Sequence, residues 1–240
     1  MVDIMKLLLF PILILLAVVP VGLICWIISN KAHNSEPFGM LVLLFILGCL
    51  SCIPAAFAEV FFDVITGIDT KTLTNIFSIF IYSFFGIAFI EEVVKWLSTY
   101  LVGFNNKAFD KAYDMIIYAV FTSLGFAFVE DILYIFANEA ALATAIMRAV
   151  ISIPGHACFA IIMGYFLGLV RYYANIKDRA REVLYTLFSI LIPSIIHAIF
   201  DALLMTENEL MILVFFAFVI TINILCFTNA HKLYKKNIDV

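Results

Sequence analysis

Two adjacent carboxylates, Glu91 and Glu92, lie inside an otherwise apolar run of this sequence, and Lys95 follows about one helical turn later. A charged side chain at the centre of a bilayer costs roughly 2.5 to 3.5 kcal/mol on insertion scales, so such residues are functional candidates by default. Successive helical residues are displaced by about 100°, so the two carboxylates point in different directions, but both can border one cavity. The ammonium group of Lys95 is spaced to offset one of their charges.

Four further ionisable residues interrupt other apolar runs. Glu130 and His156 fall in separate runs, and His197 and Asp201 share a third. The i, i+4 spacing of His197 and Asp201 places them one above the other on a helix face, where the carboxylate can orient the imidazole ring. Carboxylates and imidazoles on several helices, in a chain with few other intramembrane charges, predict one shared site.

Proton transfer to and from water is the chemistry that suits this set of residues. A carboxylate can serve as general base, and an imidazole can donate a hydrogen bond to a developing oxyanion or bind a metal ion that acidifies water. The sequence has no H-E-x-x-H motif, so the usual geometry of soluble zinc proteases is absent. It also has no Gly-rich phosphate loop, and we expect no nucleic-acid partner.

The composition indicates that the elements positioning these residues are transmembrane helices. Hydrophobic residues make up 65% of the chain and charged residues 13%, whereas roughly a quarter of the residues in soluble domains are charged. The 240 residues leave room for six to eight helices of about 20 residues each, of which the apolar runs predict seven, possibly eight, and for no soluble catalytic domain. We therefore predict an all-α, polytopic transmembrane helix bundle that belongs to the lipid bilayer.

The apolar runs divide a single transmembrane domain, residues 1–240, into three parts. Accessory helices occupy 7–62, the catalytic core covers about 80–205, and a last helix at 210–229 precedes a basic tail. The five cysteines all lie in apolar spans and are odd in number, so they do not form a disulfide framework. The predicted spans are 7–28, 38–62, 73–104, 112–137, 145–173, 183–205 and 210–229.

The lysine and arginine residues in the loops and near the ends of the spans are distributed unequally between the two sides of the membrane. With seven spans, ten fall on the side of the C-terminus and three, Lys6, Lys71 and Arg148, on the other. The positive-inside rule then predicts a cytoplasmic C-terminus. On that orientation Glu130, His156 and His197 lie in the outer half of the membrane.

The motifs Glu91-Glu92-x-x-Lys95, Phe126-x-x-x-Glu130, His156 and His197-x-x-x-Asp201 resemble, in order and spacing, those of the PrsW family of intramembrane proteases. That family is related to the type II CAAX prenyl proteases and the bacteriocin-immunity-type membrane proteases, whose motifs read E-E-x-x-x-R, F-x-x-x-H and H-x-x-x-N. Here Lys95 replaces the arginine one position early, and Glu130 stands where those enzymes have histidine. Both departures favour the PrsW branch.

The resemblance implies a CAAX-protease-like four-helix catalytic core in a multi-pass protein of the bacterial cell membrane. The implied substrate is a single-pass anti-sigma factor, cut on its extracytoplasmic side as the first step in releasing a stress-response sigma factor. Glu91 or Glu92 would activate the hydrolytic water, Lys95 would compensate charge, and Glu130 would assist proton delivery to the leaving amine. No cofactor is favoured. In a zinc-dependent version, ligands would come from Glu130, His156, His197 and Asp201, and in a metal-free version the two histidines would donate to the oxyanion.

Three alternatives remain open on the sequence alone. The chain is compatible with a CAAX or bacteriocin-immunity-type protease and with a non-catalytic membrane scaffold. Intramembrane carboxylates and histidines also build the proton relays of transporters. However, the sequence lacks the paired broken helices in matching halves that many transporters have.

Overall fold

The computed structural model describes residues 4–32, 34, 36–206 and 208–240, and within them seven helices are long and apolar enough to cross a membrane. This confirms the predicted all-α polytopic bundle. Apart from a short 3₁₀ turn and one isolated bridge between Lys111 and Asp239, the described residues outside the helices form turns and loops. The helices are α1 (Ile4–Ser29), α2 (Phe38–Thr66), α3 (Ile76–Phe104), α4 (Asp114–Ala137), α5 (Ala141–Asn175), α6 (Arg179–Leu204) and α7 (Glu209–Lys236).

The centre of the bundle is formed by α4 and α5. In the most apolar stretch of each of these helices 67% of the residues are buried, compared with 17% in α7. The largest cluster of buried apolar side chains comes mainly from these two helices and includes Met115, Ile116, Ile117, Ala157 and Ile161. The other helices pack around this pair, and α7 lies at the periphery.

Glycines let the central helices approach their neighbours backbone to backbone. A Cβ atom at Gly48 of α2 would lie 1.9 Å from the carbonyl oxygen of Thr122, and one at Gly125 of α4 would lie 2.1 Å from that of Phe45. Gly164 of α5 meets α4 in the same way. Small residues at such crossings allow the van der Waals packing that holds membrane helices together.

Two helices widen into π-helical turns directly before their polar residues. In α3 the turn covers Ser83–Ala88, and in α5 it covers Arg148–Ser152. Pro154 follows the second turn and has no N–H group to donate to the preceding turn, which disfavours regular α-helix there. π-Helical turns rotate the residues that follow and are frequent at functional sites, so both place the downstream side chains of α3 and α5.

Several helix ends differ from the sequence-based bounds. The second helix ends at Thr66 rather than 62, and the sixth begins at Arg179 rather than 183. The fifth helix begins at Ala141 rather than near 145, and the seventh continues to Lys236, so the basic residues expected in a tail occupy its last turns. Beyond α7 the chain folds back on the loop before α4, where Val240 donates its backbone N–H to the carbonyl of Asp110. Helix ends are weakly specified by hydropathy because the polar residues there suit a loop and a projecting helix equally well.

We expect Gly125→Ala to lower the free energy of unfolding by about 1–3 kcal/mol, because the added methyl group has no space between α2 and α4. Gly22→Ala is the matched control, since a Cβ at Gly22 meets nothing within 4 Å. It should be neutral or slightly stabilising. Thermal unfolding of both purified variants in one detergent measures the difference, and equal melting temperatures would contradict the close packing.

Candidate active site

A cavity of about 360 Å³ lies in the half of the bundle that contains the α2–α3, α4–α5 and α6–α7 connections. Five helices, α2 to α6, contribute to its wall. Of the seven candidate residues from the sequence, five line this cavity, whereas Glu92 and Lys95 do not line it and are fully buried. The five lining residues are Glu91, Glu130, His156, His197 and Asp201.

The ammonium group of Lys95 connects three of the candidate residues. Its Nζ atom donates hydrogen bonds to Glu91 Oε2 at 2.8 Å and to Glu92 Oε1 at 2.9 Å. It also lies 3.2 Å from His156 Nδ1 and 4.1 Å from the centre of the Phe126 ring. Lys95 therefore joins α3 to α5 and carries the positive charge closest to both adjacent carboxylates.

The two adjacent glutamates have different environments. Glu91 retains 4% exposure and lines the cavity, whereas Glu92 has none. One oxygen of Glu92, Oε2, has no hydrogen-bond partner among the described residues. The expectation that both carboxylates border one cavity is therefore met by Glu91 alone, because the rotation of about 100° between them turns Glu92 into the packed interior.

His156 is held through both of its ring nitrogens. Its Nδ1 faces the Lys95 ammonium, and its Nε2 lies 2.9 Å from Glu130 Oε2. An ammonium group can only donate hydrogen bonds. Nδ1 is therefore the acceptor, and the Nε2–H group donates to Glu130. This chain of contacts fixes the tautomer and the ring orientation of His156.

His197 lies between two carboxylates and is closer to Glu92 than to Asp201. Its Nδ1 is 3.0 Å from Glu92 Oε1, whereas its Nε2 is 3.5 Å from Asp201 Oδ2, an oxygen without a hydrogen-bond partner among the described residues. Phe159 stacks on the His197 ring with the ring centres 4.5 Å apart. The sequence spacing pointed to Asp201 as the orienting group, but the carboxylate in hydrogen-bond contact comes from another helix.

Arg148 and its partners belong to this site although the sequence patterns did not select them. Arg148 Nη2 lies 2.9 Å from Glu130 Oε2, the same side chain contacts Asp131, and its guanidinium sits 4.3 Å from the centre of the Tyr134 ring. Glu59 of α2 also lines the cavity. The sequence did contain a signal for Arg148, because it precedes His156 by about two turns on the same helix and two whole turns return to the same helix face.

Two groups of residues bring metal-ligating atoms within 4.8 Å of one another, namely Glu91, Glu92 and His197, and Glu91, Glu130 and His156. Asp201 belongs to neither group. Both groups include Glu91, whose Oε2 is 2.8 Å from the Lys95 ammonium. A divalent ion on Glu91 would place a second cation close to that buried charge, where repulsion is strong. In the second group, His156 Nδ1 also faces the Lys95 ammonium. Because Lys95 lies against both groups, the residues as arranged do not fit a metal.

Comparison with known proteins assigns this architecture to a family. The family whose model matches residues 36–227 is described as PrsW family intramembrane metalloprotease. Protease PrsW of Clostridioides difficile is 37% identical over 230 residues, covering 93% of this chain and 90% of the relative. No solved structure matches the chain.

Two further relatives give the same result. Protease PrsW of Oceanobacillus iheyensis is 36% identical over 174 residues, 72% of this chain and 74% of that protein. Protease PrsW of Bacillus subtilis is 31% identical over 184 residues, 77% and 78% of the two chains. These matches confirm the resemblance carried by the four sequence motifs, and the chain belongs to the PrsW family of intramembrane proteases.

Proposed function

We propose that this membrane-embedded peptidase cuts a single-pass anti-sigma factor near its extracytoplasmic end, as the first cleavage leading to release of a stress-response sigma factor. The observation that carries the proposal is the cavity in one half of the bundle, where Glu91 meets two imidazoles among apolar helices. A peptide bond at that depth belongs to a membrane-spanning substrate. The family resemblance supplies the anti-sigma factor as the substrate class.

The unequal distribution of basic residues indicates which side of the protein is extracytoplasmic. With ten of the thirteen basic residues outside the membrane core on the side of the C-terminus, that side is cytoplasmic by the positive-inside rule. The cavity lies in the opposite half, since it is lined by Glu59 near the end of α2 and by Leu204 at the end of α6. Cleavage would then occur in the outer half of a bacterial cell membrane.

Glu91 acts as the general base in this mechanism. Its Oε2 is held by Lys95, and among the described residues no hydrogen bond reaches its Oε1. Oε1 is therefore available to take a proton from a water molecule in the cavity. Lys95 and Glu92 do not reach the cavity, so Lys95 fixes the Glu91 carboxylate and Glu92 fixes Lys95 and His197 from behind.

The histidines stabilise the reaction that Glu91 begins. The attack of water on the scissile carbonyl creates an oxyanion, and a hydrogen-bond donor at that position lowers the barrier. His197 donates from Nδ1 to Glu92, so in its doubly protonated form its Nε2–H group, which faces the cavity-lining Asp201, can donate to the oxyanion. Glu130 accepts a hydrogen bond from His156 Nε2–H and forms an ion pair with Arg148. A proton that His156 Nε2 transfers to Glu130 can pass from there to the leaving amine, and His156 regains a proton through Lys95 from the one that Glu91 takes from water.

Glu91→Gln should lower turnover by about 10²- to 10⁴-fold, because it removes the base and keeps the shape of the side chain. Gln keeps a carbonyl oxygen that can accept from Lys95, so the melting temperature of this variant should fall less than that of Glu92→Gln. Glu92→Gln should lower both turnover and the melting temperature, since it weakens the contacts with Lys95 and His197. The exposed Glu139→Gln is the control. Wild-type turnover by Glu91→Gln at equal expression would show that another residue is the base.

Peptide-bond hydrolysis should proceed without a bound metal, because the Lys95 ammonium already occupies the position between the carboxylates. Elemental analysis of purified active protein should find no stoichiometric zinc, and treatment with a chelator followed by its removal should leave turnover unchanged. Zinc bound at one ion per chain, lost together with activity and regained with it, would replace this mechanism by metal-assisted hydrolysis.

Co-expression with single-pass anti-sigma factors of the same organism tests the substrate and the membrane side. One of them should be cut in the outer part of its transmembrane segment or just outside it, as read by mass spectrometry of the fragments, and the cut should disappear with Glu91→Gln. A reporter that fluoresces only in the cytoplasm should be bright when fused after Val240. Cleavage of other membrane proteins but of no anti-sigma factor would overturn the substrate proposal, and a dark, expressed fusion would reverse the topology.

A further inference from the structure

A second cavity, of about 640 Å³, lies in the half of the bundle opposite the active site. We call it the inner groove. Its walls come from the second halves of α5 and α7, the middle of α6 and the start of α4, and most of them are apolar. The apolar lining residues include Ile116, Ile162, Phe166, Ile192, Ile222 and Leu225.

One end of the inner groove is strongly basic. Lys232, Lys235 and Lys236 line it from the last turns of α7, and their i, i+3 and i, i+4 spacing puts them on one helix face. All three are exposed, and none pairs with an acidic side chain among the described residues. Three uncompensated cations at the mouth of an apolar groove are complementary to an anionic group attached to an apolar chain.

The length of the inner groove along α7 corresponds to the thickness of one leaflet of a bilayer. The distance along α7 from Ile222 to Lys236 is about 21 Å at 1.5 Å per residue. Half of a bilayer, with its headgroup region, measures about 20–22 Å. Because α7 has 28 residues and is longer than the hydrocarbon core, its last turns reach the headgroup level, where the three lysines are found.

We propose that the inner groove binds an anionic phospholipid, with an acyl chain along Ile192, Ile222 and Leu225 and the phosphate on Lys232, Lys235 and Lys236. Basic pockets between transmembrane helices are known to hold anionic headgroups. The site stands apart from the peptidase mechanism, although α5 and α6 contribute both to the inner groove and, through His156 and His197, to the active site.

Native mass spectrometry of the purified full-length protein tests this site, with phosphatidylglycerol and phosphatidylcholine of identical acyl chains as probes. The wild-type protein should retain phosphatidylglycerol at least about tenfold better than phosphatidylcholine. Each lysine near an anionic headgroup contributes about fivefold to binding. The combined variant Lys232→Gln, Lys235→Gln and Lys236→Gln should therefore remove the preference, while its melting temperature stays unchanged because all three side chains are exposed.

Two further variants separate a built site from general surface charge. Lys31→Gln, Lys107→Gln and Lys177→Gln together remove three lysines that do not line the inner groove, and this variant should retain the preference. Leu225→Trp fills the exposed wall of the groove and should lower retention of both lipids. Equal retention of the two lipids by the wild-type protein, an equal loss in the Lys31, Lys107 and Lys177 variant, or a dimer mass without lipid would each overturn the proposal.

Discussion

The buried ammonium of Lys95 is the interaction on which the active site depends. Two carboxylates in adjacent positions of a membrane helix repel each other, and removing one partner of a buried ion pair typically costs 3–5 kcal/mol. Lys95 contacts both carboxylates and His156 at hydrogen-bond distance, and it has no exposed surface. It therefore makes the pair Glu91 and Glu92 tolerable inside the bilayer and ties α3 to α5.

The backbone around this ion pair also positions the side chains of the active site. Gly48 and Gly125 bring α2 against α4, and Gly164 brings α5 against the other side of α4. Because α4 packs closely against both neighbours, Glu130 contacts His156 across the α4–α5 interface. The π-helical turns of α3 and α5 precede Glu91 and His156 and set the rotation of both side chains. Close packing and local widening together shape the cavity in which the polar residues converge.

Hydropathy and spacing predicted the seven spans and selected residues that converge, because an ionisable group in an apolar helix is rare and expensive. They did not predict which partners these residues take. The hydrogen bond of His197 with Glu92, in addition to its contact with Asp201, and the ion pair of Arg148 with Glu130 depend on the rotation of helices that are distant in sequence. Arg148 was counted as an outer charge because one residue at a predicted helix end carries no information about the direction of its side chain.

The balance of charge explains how one cluster can both take and give protons. Lys95 and Arg148 are the permanent cations in contact with it, whereas five carboxyl groups surround them: Glu91, Glu92, Glu130, Asp131 and Asp201. The remaining positive charge has to come from protons shared among the carboxyls and the two imidazoles. Lys95 binds the inner atoms, Glu91 Oε2 and His156 Nδ1, and so leaves Glu91 Oε1 free and directs His156 Nε2 to Glu130. A water molecule at Glu91 and a leaving amine near Glu130 would then be served by the two ends of one hydrogen-bonded chain, which is the arrangement that hydrolysis of a peptide bond requires.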